Sequence, residues 1–146
     1  MKIMVSACLL GENCKYNGGN NRNERLLQLL RGHTVIPVCP EVLGGLPTPR
    51  VPAEIVNGTV MNREGISVGG EFRKGAEKAL RIAEKEQPDC MILQSRSPSC
   101  GAKQIYDGTF SGTLISGRGI FAGMAEKAGF RVMDIGDVLK EGAIKP

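Results

Sequence analysis

Two kinds of apolar run divide this chain, short β-branched ones and longer runs with helical spacing. Lys2 to Ala7, Thr34 to Val38, Asp89 to Gln94 and Arg131 to Ile135 are the short kind, bounded by turn residues, and they predict four strands. From about Asn23 the spacing of Leu26, Leu27, Leu29 and Leu30 beside Arg22, Glu24, Arg25 and Arg31 predicts an amphipathic helix, capped by Asn21 or Asn23 and ended by Gly32. A longer helix opens at Gly69-Gly70 and runs to about Glu86, with Phe72, Ala76, Ala79, Leu80 and Ala83 on one face and Pro88 beyond its end. Gly119 to Ala128 predicts a short helix, and Asp137 to Lys140 a last helical turn.

Two stretches read as ribbons. Ala53 to Val60 and Ile66 to Val68 flank the Asn57-Gly58 and Arg63-Glu64-Gly65 turns, and Ile105 to Ile115 carries Asp107-Gly108 and Ser111-Gly112. Strands alternating with helices predict an α/β fold, a mainly parallel Rossmann-like sheet flanked by helices, with β-ribbon and loop insertions. No internal repeat or linker divides residues 1–146, so a single compact domain is expected.

The Thr34 to Val38 run reads as a short buried strand, and the chain is organised around it and its sequel, Cys39-Pro40-Glu41 and then Gly44-Gly45-Leu46-Pro47-Thr48-Pro49-Arg50. That sequel reads as a loop that continues neither a strand nor a helix. Cys39 and Glu41 therefore sit where a strand stops. Cys8 comes just after the first strand, in a stretch of turn residues reaching Asn21, and Cys100 comes after the strand ending near Gln94. In a parallel sheet all C-terminal strand ends lie along one edge, where ligands bind, so Cys8, Cys39 and Cys100 are expected to open onto one crevice.

Composition narrows the classes. With 41% hydrophobic and 23% charged residues the chain is neither disordered nor fibrous, and its 20 glycines without a period indicate tight loops. The net charge of +4 comes from scattered basic residues and permits an RNA contact without indicating one. No run approaches transmembrane length and the start is too short for a signal peptide, so a cytoplasmic protein with no membrane partner is expected. There, five cysteines point to metal binding, catalysis or burial rather than a disulfide framework.

Free cysteine is among the most buried residue types, and Cys90, inside a strand beside Met91 and Ile92, reads that way. Cys8, Cys39 and Cys100 are flanked instead by Gly, Pro or Ser in loops. Cys14 reads equally as a fourth ligand, a spectator or a redox partner. Three converging thiolates suit a zinc ion or an iron–sulfur cluster, and without a CxxC pair the residues do not choose between them. Glu41, alone a solvated carboxylate, beside Cys39 becomes a proton shuttle. Ser97 and Ser99 either cap the turn at Pro98 or present a hydroxyl to substrate. Arg50 is a surface charge or, folded inward, a ligand for an anionic or carbonyl group. His33, the single histidine, reads as a helix C-terminal residue. Gly117-Arg118-Gly119 lacks the third glycine and preceding strand of a dinucleotide site, and no GxxxxGK[ST] occurs.

Ser6-Ala7-Cys8-Leu9-Leu10-Gly11, Pro37-Val38-Cys39-Pro40-Glu41 with Gly44 to Arg50, and Ser97-Pro98-Ser99-Cys100-Gly101 with Ile105 to Phe110 resemble, in order, the motifs of the thiouracil desulfurase-like family. The resemblance spans nearly the whole chain. It implies a 4Fe-4S cluster on Cys8, Cys39 and Cys100 and catalytic roles for Glu41 and Ser97; three cysteines leave one iron open, and Arg50 and Ser99 are expected to contact substrate. The implied reaction is non-redox, hydrolytic desulfuration of 2-thiouracil or a related thiolated base or nucleoside. Two readings from other classes stand beside it. One is a zinc- or cluster-binding module that senses metal or sulfur status or docks to a tRNA-handling partner. The other is a thiol redox enzyme using Cys8 and Cys14, against which the missing CxxC counts.

Overall fold

The computed structural model describes residues 1–145. Its centre is a four-stranded parallel sheet of β1 (Lys2–Ser6), β2 (Thr34–Val38), β5 (Cys90–Leu93) and β8 (Val132–Asp134), in the order β2-β1-β5-β8. Alternation along β1 fixes the layers. Met4 faces the side covered by α3 (Gly69–Glu86) and α4 (Ile120–Lys127), packing with Ala76, Ala79, Met91 and Phe121. Ile3 and Val5 face the other side with Leu26 of α1 (Glu24–Leu29) and Val138 of α5 (Ile135–Glu141). A sheet buried on both faces needs strands that are apolar throughout, and β5 is completely buried. Cys90 lies there with 0% exposure and is a core residue.

Several expectations are met closely. The long helix runs from Gly69 to Glu86 with Phe72, Ala76, Ala79 and Ala83 buried, and Asn23 caps α1, its side chain accepting from Leu26 N–H. The two ribbons form as β3 (Ala53–Val56) with β4 (Thr59–Asn62) and β6 (Gln104–Tyr106) with β7 (Leu114–Ser116), both antiparallel.

Others are corrected. β2 is an edge strand with much of its surface exposed rather than a buried one, and the edge position is what tolerates Pro37, which has no N–H to donate. The chain after β1 begins with a tight 3₁₀ turn over Ala7–Leu10, closed by Gly11 at φ 103°. The chain after Cys39 forms a helix after all: α2 spans Pro40–Leu43, with Pro40 in its first turn, where a missing N–H costs nothing. Ile66 to Val68 forms no strand and contributes a single bridge between Met61 and Ser67. The last helix is longer than the predicted turn.

Candidate active site

Because the sheet strands are parallel, the ends of β1, β2 and β5 lie at one edge. With β1 between β2 and β5, the chain leaves β1 for one side and later returns to its other side at β5, which opens a crevice there. This crevice, of about 600 Å³, is lined by Cys8, Cys14, Cys39, Glu41, Arg50, Ser97 and Cys100, among others. Ser99 lies just behind its wall. The predicted convergence of Cys8, Cys39 and Cys100 is therefore present, and His33 is elsewhere, its Nδ1 3.0 Å from the N-terminal amine.

Each thiol is placed by a different device. Cys8 sits in the 3₁₀ turn after β1, and Asn21 Nδ2 donates to its sulfur at 3.5 Å. Cys39 occupies the N-cap of α2, and Cys100 ends a loop tightened by Ser97, whose Oγ accepts from the N–H groups of Ser99 and Cys100 at 3.1 and 3.0 Å. Gly119 seals that loop from behind: a Cβ there would lie 2.5 Å from the Ser99 carbonyl carbon. Ser6, buried at the end of β1, accepts from Gln94 N–H at 2.9 Å and lines the crevice with Cys100.

Cys14 takes a specific place, against Cys39 rather than against Cys8. Its carbonyl oxygen lies 4.0 Å from Cys39 Sγ and accepts from Arg50 Nη2 at 2.8 Å. The hydrogen bond between the two thiols leaves the proton on Cys14, raising it, and lowers Cys39 to about 7, helped by the Val42 N–H and the Arg50 charge and opposed by burial. Burial raises Cys8 and Cys100, with the hydrogen bonds from Asn21 and Ser6 pulling the other way.

Glu41 stands among the thiols with both oxygens engaged. Arg50 Nε donates to Oε1 at 3.1 Å, and Ser99 Oγ donates to Oε2 at 3.1 Å. Three more Arg50 N–H groups hold the surrounding loops, two on Nη1 donating to the Pro47 carbonyl and Thr48 Oγ1 and one on Nη2 to the Cys14 carbonyl. Arg50 and Ser99, expected on substrate, are thus bound to Glu41 and to the loops around it. With side-chain exposures of 7% and 17%, Arg50 and Glu41 form a largely buried ion pair. Such a pair seldom adds stability, but losing one partner costs roughly 3–5 kcal/mol.

Comparison with known proteins agrees with this geometry. The family model described as 2-thiouracil desulfurase matches residues 3–137. The chain belongs to the 2-thiouracil desulfurase family. Among solved structures it resembles a 4Fe-4S-dependent thiouracil desulfidase, TudS, with a TM-score of 0.88 at 39% identity, over 96% of this chain and 93% of that one. Among curated proteins it is 39% identical to the uncharacterised protein YbbK of Bacillus subtilis (strain 168), over 94% of this chain and 99% of that protein.

The donor set of this desulfurase-family chain fits a polynuclear cluster. Three thiols line one crevice, with Asn21 Nδ2 donating to the Cys8 sulfur and the Cys14 carbonyl 4.0 Å from the Cys39 sulfur. Such bonds stabilise thiolate ligands. Among the described residues no three His, Cys, Asp or Glu side chains are grouped as ligands of a single metal ion. No helix of the described residues is long and apolar enough to cross a membrane.

Sequence reasoning missed Ser6 and Asn21. Ser6 is a polar residue at the end of an otherwise apolar strand, which is a usable signal; Asn21 reads only as a turn residue.

Proposed function

We propose that Cys8, Cys39 and Cys100 hold a 4Fe-4S cluster and that the crevice removes sulfur from a thiolated nucleobase such as 2-thiouracil by hydrolysis. The observation that carries this reading is a carboxylate fixed on both oxygens in the crevice that Cys8, Cys39 and Cys100 also line. The solved relative's dependence on such a cluster and its action on thiouracil support it. A four-iron cluster on three thiolates leaves one iron without a protein ligand, a Lewis-acid site for a thiocarbonyl sulfur.

The chain's own groups do the rest. Glu41 takes a proton from the water that attacks the thiocarbonyl carbon, with Arg50 and Ser99 aiming its carboxylate. Ser97 Oγ already accepts two backbone N–H groups, so its own hydrogen is free to donate to the base. The carbon–sulfur bond breaks, a carbon–oxygen bond forms, and the two protons of water leave with the sulfur: thio base plus water gives oxo base plus hydrogen sulfide. No electrons are transferred. Arg50 and Ser99 act here as positioning residues.

Glu41→Gln separates this chemistry from assembly of the site. The variant is expected to keep its iron content and visible absorbance while kcat falls about 10²- to 10⁴-fold. Turnover at the wild-type rate would contradict the assignment.

A further inference from the structure

One buried carboxylate in the crevice wall has no part in that chemistry. Glu54, on β3, is 9% exposed, and its Oε1 accepts from the backbone N–H groups of Gly108 and Phe110 at 3.0 and 3.1 Å. These bonds tie the β3–β4 ribbon to the turn of the β6–β7 ribbon. Gly108 is pressed against β3 so closely that a Cβ would lie 2.6 Å from the Ile55 carbonyl oxygen. At this joint Phe110 adopts left-handed backbone, φ 57°, a conformation rare for a bulky residue.

What the strain secures is the place of a ring. Phe110 is half-buried and lines the crevice, and the Arg63 guanidinium lies over its ring, 5.9 Å from the centre. Arg63 lines the same crevice; its cation–π contact takes one face of the ring, and a flat ligand would take the other. A pinned aromatic loses little freedom when a flat molecule stacks on it, and stacking engages the face of a base while leaving its edges free for chemistry.

We propose that Phe110, presented by Glu54, is the platform on which the substrate ring lies, and that this stacking selects a cyclic thioamide over an acyclic thiocarbonyl. The identity of the substrate rests on the desulfuration reading above; the platform rests on the ribbon geometry.

The experiment compares wild type, Phe110→Leu, Phe110→Tyr and Glu54→Gln as cluster-loaded proteins, with 2-thiouracil and thiourea as substrates and calorimetric titration of uracil as a probe that does not react. Phe110→Leu is expected to raise the KM for 2-thiouracil and the Kd for uracil about tenfold or more, with kcat changed less than about threefold and thiourea turnover unaffected. Phe110→Tyr keeps a ring at the site and is expected to recover most of the binding lost in Phe110→Leu. Glu54→Gln shows a smaller shift of the same kind, because a neutral amide oxygen is a weaker acceptor for the two N–H groups. Equal losses on 2-thiouracil and thiourea, a Tyr variant as weak as the Leu variant, or uracil binding unchanged by Phe110→Leu would each overturn the platform. If wild type turns over neither thio compound, the titration decides alone. Uracil binding weakened tenfold by Phe110→Leu and restored by Phe110→Tyr keeps the platform while the desulfuration reading falls, and absence of uracil binding to wild type overturns the platform.

Discussion

The chemistry at the residue scale turns on which side chains hold which others. Cys14 and Cys39 share a hydrogen bond that puts the thiolate on Cys39, so in metal-free protein Cys39 is the thiol to be alkylated first as pH rises through about 7. A thiol lowered to that value is already largely ionised above it, whereas the raised Cys14 stays protonated. Residue-resolved alkylation by mass spectrometry checks it, and Cys14→Ala should move the Cys39 midpoint up toward the ordinary thiol value of about 8.5. Equal rates at the two residues would contradict the arrangement. A second prediction concerns aim: Ser99→Ala removes one of the two bonds that orient Glu41, and it is expected to lower kcat about tenfold with iron content intact. That Cys8, Cys39, Cys100 and Glu41 reach one crevice was readable from the sequence because strand ends announce themselves by a change from β-branched to turn residues. The contacts of Asn21, Arg50 and Ser99 were not. Asn21 binds the Cys8 sulfur, and Arg50 and Ser99 bind Glu41, through approaches that only the tertiary fold creates.

Elements were readable where the periodicity is long and hidden where it is short. The eighteen residues of α3 declare a helix through many turns, whereas α2 has only Pro40 to Leu43, among prolines and glycines that in isolation signal a loop. What makes α2 a helix is its contact with α3. A Cβ on Gly44 would lie 2.0 Å from the Glu71 carbonyl oxygen, and one on Gly75 would lie 1.8 Å from the Pro40 carbonyl oxygen, so glycines on both helices let the two backbones meet. This contact sets the position of Cys39 and Glu41. Gly75→Ala is therefore expected to lower the melting temperature by several degrees to about 10 °C and to weaken iron retention. Gly70→Ala, on the same helix with nothing within 4 Å, should change neither. Calorimetry and iron analysis of the pair provide the check, and identical behaviour of the two variants would show that the helix crossing does not position the site.

At the scale of the whole molecule, one parallel sheet gathers residues from distant parts of the chain. Cys8 comes after β1, Cys39 after β2 and Cys100 after β5, and the strand order brings all three ends to the crevice where the chain reverses direction. The topology was legible because each crossover between parallel strands has its helix written in the sequence. The edge position of β2 was not, since a short apolar run reads as buried whether it has one neighbour or two. The two ribbons and the turn between β6 and β7 add Ala53, Glu54, Tyr106 and Phe110 to the crevice lining. The cluster assignment is decided by iron and acid-labile sulfide analysis of anaerobically purified protein, with release of sulfide from 2-thiouracil followed in the same samples, for wild type and for Cys8→Ser, Cys39→Ser, Cys100→Ser and Cys14→Ser. A three-thiolate site predicts about four irons and four sulfides per chain with turnover, both lost in the first three variants and the cluster kept in Cys14→Ser. Zinc alone, no metal after anaerobic reconstitution, or a cluster lost in Cys14→Ser would contradict it.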